Sequence, residues 1–169
     1  MASVKEDVLS ALAALGVSYE LLEHAPVHTM EDCKAAEEAL GGVMPKNLFL
    51  TPRNHASHHL LIARADAPFR TARISRQLGV SRLSFATAEE LMEMLRTLPG
   101  AISPMGLLFD GEKKVRLAID RALRGEERLL FHPCVNTATL AVSGADFFER
   151  LLPALGHEAT YVDMEEDAE

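Results

Sequence analysis

Lys46-Asn47-Leu48-Phe49-Leu50-Thr51 is an apolar run that begins with a cation and an amide. Short apolar runs bounded by turn residues are typical of buried strands, so this run predicts one. The polar stretch 52–57 follows it, and the run from His59 to Ala65 predicts a second strand paired with the first. Most of the first strand is too apolar to contact a polar ligand, but Lys46 and Asn47 lie at its mouth and can do so.

Helices and further strands are predicted on both sides of this pair. The segment 103–109 is predicted to be a strand that turns at Asp110-Gly111 and pairs with 115–119, because Asp-Gly favours tight hairpin turns. We expect one α+β domain with a mixed, mostly antiparallel sheet and helices packed on it. The periodicity and capping residues predict helices over 4–15, 29–40, 71–78, 88–98 and 145–155, and strands over 17–22, 84–86, 129–131, 137–142 and 159–162.

The composition indicates an ordinary globular domain. The chain has 169 residues, 48% of them hydrophobic, which is enough to bury a core. It has no run of about 18 apolar residues and no signal-peptide pattern, and its two cysteines fit a reducing compartment, so we expect a cytoplasmic protein. The domain is predicted over 1–162, and 163–169 is predicted to be an acidic tail.

The charge is unevenly distributed. The net charge of −8 argues against a protein that coats nucleic acid without selectivity. One segment nevertheless carries six arginines and a single acid, Asp66, and permits selective contact with a phosphate backbone. The alternative is that these side chains are ordinary solvated surface charge. We call this group the arginine stripe, and it consists of Arg53, Arg64, Arg70, Arg73, Arg76 and Arg82.

Three polar segments are candidates for a binding or catalytic site. Lys46 could hold a phosphate or a ribose hydroxyl, or could simply keep a strand edge soluble. The small-residue loop Gly100-Ala101-Ile102-Ser103-Pro104 could present backbone N–H groups to a carbonyl oxygen or a water. The segment 131–139 places a histidine, an asparagine and two threonines among apolar residues. No strong nucleophile lies beside an obvious base, which favours a site that positions substrate and water.

Metal and cofactor sites are not predicted. His55, His58 and His59 invite comparison with a zinc site, but they lie around a polar turn without a cysteine or a second histidine pair at finger spacing. Neither Cys33 nor Cys134 has a clear base partner, so a cysteine nucleophile is not expected. Walker and dinucleotide-binding glycine motifs are absent from the sequence.

Four ordered motifs together resemble the YbaK/prolyl-tRNA editing superfamily, most closely its freestanding prolyl-tRNA editing proteins. The resemblance spans roughly residues 15–156, and the four motifs together are far more specific than any one of them. The motifs are His24-Ala25-Pro26-Val27-His28-Thr29, Pro45-Lys46-Asn47-Leu48-Phe49-Leu50, Gly100-Ala101-Ile102-Ser103-Pro104, and Phe131-His132-Pro133 with Asn136-Thr137-Ala138-Thr139.

The resemblance implies an aminoacyl-tRNA deacylase that clears mischarged tRNA(Pro) in trans to prolyl-tRNA synthetase, with Ala-tRNA(Pro) as the expected substrate. It also implies that the terminal ribose hydroxyl of the substrate assists hydrolysis. The family's essential lysine falls on Lys46, its glycine-loop-proline motif begins at Gly100, and its histidine before proline falls on His132. These three residues are the implied catalytic set. The implied substrate-binding set is His28, Thr29, Asn47, Ser103, Pro104, Asn136 and Thr137.

The implied partners are the acceptor end of tRNA(Pro) and prolyl-tRNA synthetase, without a membrane or cofactor, and we expect a monomer. Three alternatives stay open at this stage. The chain could deacylate another small aminoacyl group, as in Cys-tRNA(Pro). It could be a non-catalytic module that binds tRNA or a synthetase. Without the resemblance, it could be a domain that binds a small molecule.

Overall fold

The computed structural model describes residues 3–26 and 30–164. Its helices are α1 (Val4–Ala14), α2 (Met30–Leu40), α3 (Thr71–Leu78) and α4 (Ala88–Leu95), followed by a C-terminal helix. That last helix runs through Gly144–Asp146, a π-helical turn at Phe147–Leu151, and Leu152–Leu155. The strands are β1 (Glu20–Glu23), β2 (Lys46–Pro52), β3 (His58–Ala63), β4 (Leu83–Phe85), β5 (Val115–Asp120), β6 (Arg128–Phe131), β7 (Ala138–Ser143) and β8 (Ala159–Val162).

The α+β class and the β2–β3 hairpin predicted from the sequence are confirmed, but the strands form two sheets instead of one. The smaller sheet has the order β1-β7-β6 and is antiparallel throughout. The larger sheet has the order β4-β2-β3-β5-β8, in which β5 runs parallel to both β3 and β8. The described helices lie outside and between these sheets, and none is long and apolar enough to cross a membrane.

The strand predicted over 103–109 is wrong. Short 3-10 helices span Pro99–Ala101 and Pro104–Phe109 instead. Pro104 has no N–H to donate to a sheet, and the Ser103 hydroxyl accepts a hydrogen bond from Met105 N at 3.1 Å, which starts the second of these helices. Strand β5 therefore has no hairpin partner before it and pairs in parallel with β3.

The core has three layers of side chains. The largest cluster lies between the two sheets and includes Phe49 and Phe131, one from each sheet. A second cluster covers the other face of the large sheet, where Ile74 of α3 packs with Leu50 and Leu61. A third covers the outer face of the small sheet, where Ala36 of α2 packs with Leu130. Successive residues of β2 and of β6 therefore point to opposite faces, as the pleat requires.

The two sheets meet at a parallel bridge between Val43 and Leu129. The backbone N–H of Val43 donates to Arg128 O at 3.0 Å, and Leu130 N donates to Val43 O at 2.9 Å. Gly42 precedes the bridge with φ +136°, and a Cβ at this position would lie 2.8 Å from Arg128 O. Close approach of the two backbones therefore requires glycine here.

The C-terminal end of the described chain is packed on the body. Met164 is buried, and the Asp163 carboxylate lies 3.1 Å from Arg121 Nε. Residues 165–169, the rest of the predicted acidic tail, lie outside the described residues.

Candidate functional site

A small cavity lies where the start of β2 meets the end of β6, beside the bridge between the two sheets. Its volume is about 150 Å³. The cavity brings together residues from three of the motifs that the sequence singled out, with α2 contributing one wall. It is lined by Cys33, Met44, Pro45, Lys46, Asn47, Pro99, Gly100, Ile102, Leu130, Phe131 and His132.

Asn47 provides an unused hydrogen-bond acceptor in this cavity. Its Oδ1 atom is buried and has no hydrogen-bond partner in the described structure. Its Nδ2 makes a long contact of 3.4 Å with Pro45 O. An unpaired buried amide oxygen costs free energy, about 1–3 kcal/mol by typical values, so the fold alone does not account for it. The atom is well suited to accept a hydrogen bond from a ligand.

Lys46 lies at the rim of the cavity. Its ammonium lies on the face of the large sheet that α3 covers. Its Nζ donates a short hydrogen bond to Ala67 O, in the connection that leads into α3. Pleat alternation sends the Lys46 and Asn47 side chains to opposite faces of the sheet. An ammonium has three N–H donors, so Lys46 can bind an anion or hydroxyl while it keeps the Ala67 contact.

His132 is held in one tautomer. Its Nδ1 lies 2.9 Å from Ala138 O, and because a carbonyl can only accept, Nδ1 carries the proton and Nε2 is the unprotonated nitrogen. Burial lowers the pKa of His132 below its usual 6.5, the Ala138 carbonyl acts in the opposite direction, and nearby His24 lowers it further. His132 is therefore a neutral imidazole at neutral pH, with Nε2 able to accept a hydrogen bond.

His24 lies beside the site, although it is not among the predicted site residues. Its Nδ1 is 2.8 Å from Ala25 O and its Nε2 is 2.8 Å from Thr139 Oγ1. Its ring meets that of His132 edge-on, with centroids 6.4 Å apart. The first sequence motif contains His24 and the last contains Thr139, so the signal was present, but only the pairing of β1 with β7 shows that the two motifs touch.

The loop around Gly100 forms the opposite wall. Pro99 has no N–H, and Ala101 N donates to Leu98 O at 2.9 Å within the 3-10 turn. The N–H groups of Gly100 and Ile102 are therefore the candidates for contact with a ligand carbonyl. Asn136 reaches this loop, since its Nδ2 lies 3.8 Å from the position that a Cβ on Gly100 would occupy.

Other residues of the predicted substrate-binding set lie elsewhere or outside the described structure. Ser103 and Pro104 are buried, and they begin the second 3-10 helix instead of lining the cavity. Thr137 is exposed, and its carbonyl accepts a hydrogen bond from His24 N at 2.9 Å. His28 and Thr29 lie outside the described residues.

Several apolar walls were also missing from the predicted set. Cys33 comes from α2, Met44 from the segment before β2, and Ile102 from the Gly100 loop. Nothing in their local sequence distinguishes them from core residues. Cys134, by contrast, is buried away from this wall, and burial raises the pKa of its thiol to about 12, so it stays protonated at neutral pH.

The arginine stripe is only partly available. Arg64 pairs with buried Asp120, its Nε lying 2.9 Å from Oδ2, and Arg73 Nε donates to Asp163 O at 2.8 Å. The other four are exposed. Arg70 and Arg76 belong to the N-cap and the last turn of α3, which packs through Ile74 on the face of the large sheet that includes Ala67, the partner of the Lys46 ammonium. Arg53 follows β2 and Arg82 precedes the edge strand β4.

Comparison with known proteins gives matches over most of the chain. The model of the aminoacyl-tRNA editing domain family matches residues 24–149. The prolyl-tRNA editing protein ProX of Acetoanaerobium sticklandii is 31% identical over 160 residues, which cover 95% of this chain and 97% of the relative. The prolyl-tRNA synthetase associated domain-containing protein 1 of Danio rerio is 31% identical over 150 residues, 88% of this chain and 81% of the relative.

Among solved structures, a candidate trans-editing enzyme for prolyl tRNA synthetase superposes with a TM-score of 0.74. The two chains share 18% identity, and the match covers 98% of this chain and 99% of the other. At that identity the likeness concerns the fold.

Proposed function

This chain belongs to the aminoacyl-tRNA editing domain family, and from that premise we propose that it hydrolyses mischarged aminoacyl-tRNA in trans, with Ala-tRNA(Pro) as its substrate. The observation that carries the proposal is the small cavity lined by Lys46, Asn47, Gly100 and His132. These residues include every member of the catalytic set implied by the sequence motifs.

The size of the cavity supports a small aminoacyl group. A volume of about 150 Å³ is well below the roughly 300–1,000 Å³ of pockets that bury a drug-sized ligand. The terminal adenosine must therefore lie outside, at the rim where Lys46 is found. Its walls are mostly apolar, including Cys33, Met44 and Ile102. An alanyl side chain suits such a space, and cognate proline is excluded by steric contact with the walls.

The reaction requires positioning more than a strong nucleophile, because an aminoacyl ester is already activated. Water adds to the ester carbonyl carbon, the bond from that carbon to the ribose oxygen breaks, and the ribose oxygen leaves as a hydroxyl. A backbone N–H of Gly100 or Ile102 polarises the carbonyl oxygen. His132 Nε2 accepts a hydrogen bond from the ribose hydroxyl or the water, and Asn47 Oδ1 accepts one from the substrate ammonium.

The substrate tRNA is held by cations outside the cavity. Lys46 anchors the phosphate or ribose of the terminal adenosine. Exposed arginines of the stripe contact the acceptor stem, foremost Arg70 and Arg76 at the N-cap and in the last turn of α3. We propose that the protein acts as a monomer beside prolyl-tRNA synthetase and without a cofactor.

Deacylation of three substrates by the purified protein tests this proposal. We expect hydrolysis of Ala-tRNA(Pro), much slower hydrolysis of Cys-tRNA(Pro), and none of Pro-tRNA(Pro). Lys46→Ala should abolish the reaction without loss of folded structure by circular dichroism, since the side chain is half-buried and one hydrogen bond is lost. Preferential hydrolysis of the cysteinyl ester would move the assignment to the second substrate. Binding without hydrolysis of any ester would indicate a non-catalytic module.

A further inference from the structure

A second cluster of functional side chains lies at the opposite end of the β2–β3 hairpin. His55, His58 and Glu90 each offer one ligand atom, and the three atoms lie within 4.8 Å of one another. His55 Nδ1 is 3.0 Å from Glu90 Oε2, and His58 Nε2 makes a short contact with the same oxygen. His59, adjacent in sequence, takes no part in this cluster, since its Nε2 lies 2.8 Å from Ser57 Oγ.

The fold builds this cluster from two separate elements. His55 is in the turn after β2, where its φ of +55° turns the chain back, and His58 begins β3. The His58 ring stacks on Phe49, with centroids 5.7 Å apart, which fixes its orientation. Glu90 comes from the first turn of α4, thirty-two residues after His58. Of the three residues, therefore, only His55 and His58 are close to each other in the sequence.

The two oxygens of Glu90 have separate tasks. Oε1 accepts hydrogen bonds from Thr87 N at 3.1 Å and Thr87 Oγ1 at 3.0 Å, which completes the capping box of α4. Oε2 is left to face both imidazoles. The carboxylate is thus held in place by its own helix.

We propose that His55 Nδ1, His58 Nε2 and Glu90 Oε2 bind a divalent first-row transition metal ion, with Zn²⁺ as the matching ion. Two imidazoles and one carboxylate form a donor set that Zn²⁺ uses in proteins at distances of about 2.0–2.2 Å. The ion takes the place of the direct contacts between the carboxylate and the two rings. The hydrogen bonds from Thr87 to Oε1 orient the carboxylate from the second shell.

The site has room for a further ligand. His58 and Glu90 line an open cavity of about 710 Å³, whose other charged walls are Glu93, Asp110, Glu112 and Lys114. Water can therefore fill the fourth position of a tetrahedral ion, and the carboxylates of this cavity outnumber its single lysine, which favours a cation. Leu50 pairs with His59, so His58 lies opposite Thr51. Thr51 is five residues after Lys46 on β2, and His58 therefore lies roughly 17 Å along this strand from Lys46. The metal site is separate from the editing cavity and does not depend on its function.

Calorimetric titration of the untagged, chelator-treated protein with Zn²⁺ near neutral pH tests the proposal. We expect one ion per chain. His58→Gln and Glu90→Gln should each weaken binding at least about tenfold, because a lost ligand costs at least as much as a lost second-shell partner. Glu90→Gln retains the capping box, which accepts either residue, so the helix is preserved. Co²⁺ should give visible absorption bands that disappear in the same variants.

Two control variants locate the ion. Glu93→Gln changes a carboxylate of the same cavity that is not a ligand, and it should leave the affinity for Zn²⁺ unchanged. Cys33→Ser changes a thiol in the editing cavity, and it too should leave the affinity unchanged. The proposal is overturned if the folded wild-type protein takes up no stoichiometric Zn²⁺. It is equally overturned if Glu90→Gln and His58→Gln bind Zn²⁺ as tightly as the wild type.

Discussion

The imidazole of His24 meets that of His132 edge-on, with ring centroids 6.4 Å apart. Burial lowers the pKa of His132, and the electrostatic effect of the neighbouring His24 lowers it further. A lowered pKa means that His132 stays neutral to a pH below the ordinary 6.5 and becomes protonated only under more acidic conditions.

The first prediction concerns the acid limb of the pH profile for deacylation. If neutral His132 is required, kcat/KM should hold as the pH falls through 6.5 and decline only below it. His24→Gln removes one cause of the lowered pKa, so the limb should move to higher pH, towards the ordinary value. The measurement is kcat/KM against pH for the wild type and this variant. A limb at the same pH in both proteins would contradict the role given to His24, and His132→Gln should remove the limb with most of the activity.

The second prediction separates stability from function at Asn47. Asn47→Leu removes a buried oxygen that has no partner, so the free energy of unfolding should stay the same or rise by about 1 kcal/mol. Activity should fall, because a hydrogen bond to a charged group is worth about 1.5–3 kcal/mol, or roughly 10- to 150-fold in kcat/KM. Urea unfolding and deacylation kinetics on the same sample provide the check. A variant that is both destabilised and fully active would refute the assignment.

The third prediction uses two adjacent glycines. Gly41 and Gly42 both have positive φ, but a Cβ on Gly41 meets nothing within 4 Å, whereas a Cβ on Gly42 would lie 2.7 Å from Leu130 Cδ1. Gly41→Ala should cost about 1 kcal/mol for the left-handed backbone alone. Gly42→Ala should cost at least about 2 kcal/mol, because overpacking adds to the strain. It should also lower activity, since Leu130 lines the cavity. Equal costs for the two variants would show that the bridge between the sheets is not tight.

The fourth prediction concerns the arginine stripe. Arg70→Ala and Arg76→Ala remove exposed guanidinium groups on the face that carries the Lys46 ammonium. Each change that loses a phosphate contact should weaken tRNA binding and reduce the slope of log affinity against log salt by about 0.7–0.9. Lys114→Ala is the control. This lysine lies in the turn before β5, at the end of the large sheet opposite Lys46. Affinity that is insensitive to salt would show that the stripe does not hold tRNA.

The fifth prediction concerns the buried carboxylate of Asp110, which is neither a proposed metal ligand nor part of the editing cavity. Asp110 accepts hydrogen bonds from Val115 N at 2.8 Å and from His157 Nε2 at 2.9 Å. Burial raises the pKa of Asp110, but the hydrogen bonds outweigh it and leave the pKa below its usual 3.8. The carboxylate therefore stabilises the fold above pH 3.8, and this contribution is lost as the pH falls through the lowered value. Asp110→Asn weakens the hydrogen bonds to a charged carboxylate, so it should cost about 1.5–3 kcal/mol at neutral pH and remove that part of the acid dependence. Urea unfolding at several pH values measures both effects. An unchanged acid dependence would contradict this account.

The local sequence predicted the bounds of those helices and strands that end at a clear stop signal. Thr71–Leu78 and Ala159–Val162 have the predicted bounds, because Gly79 ends the first and Gly156 separates the second from the preceding helix. The prediction of a strand over 103–109 is wrong because it relied on the apolar composition of this segment alone. The hydroxyl cap from Ser103 and the missing N–H of Pro104 outweigh that tendency.

Contacts between residues distant in sequence could not be predicted from the individual motifs. Lys46, Gly100 and His132 lie in separate sequence motifs. The bridge between Val43 and Leu129 brings the start of β2 to the end of β6, and so brings Lys46 to the same cavity as His132. Glu90 likewise gives no sign in the sequence that it faces His55 and His58. Such pairings follow from sheet order, which a periodicity of two or 3.6 residues does not encode.

The walls of the small cavity come from segments that can change independently. Cys33 belongs to a helix, Met44 to a connection and Ile102 to a loop. Lys46 and Asn47, by contrast, lie on β2, and His132 directly follows β6, which backbone hydrogen bonds through Val43 join to the chain before β2. A descendant of this chain could therefore acquire a different amino acid preference by one or two wall substitutions, without rebuilding the reactive centre. Divergence of substrate choice within a shared catalytic frame is the evolutionary behaviour that this construction favours.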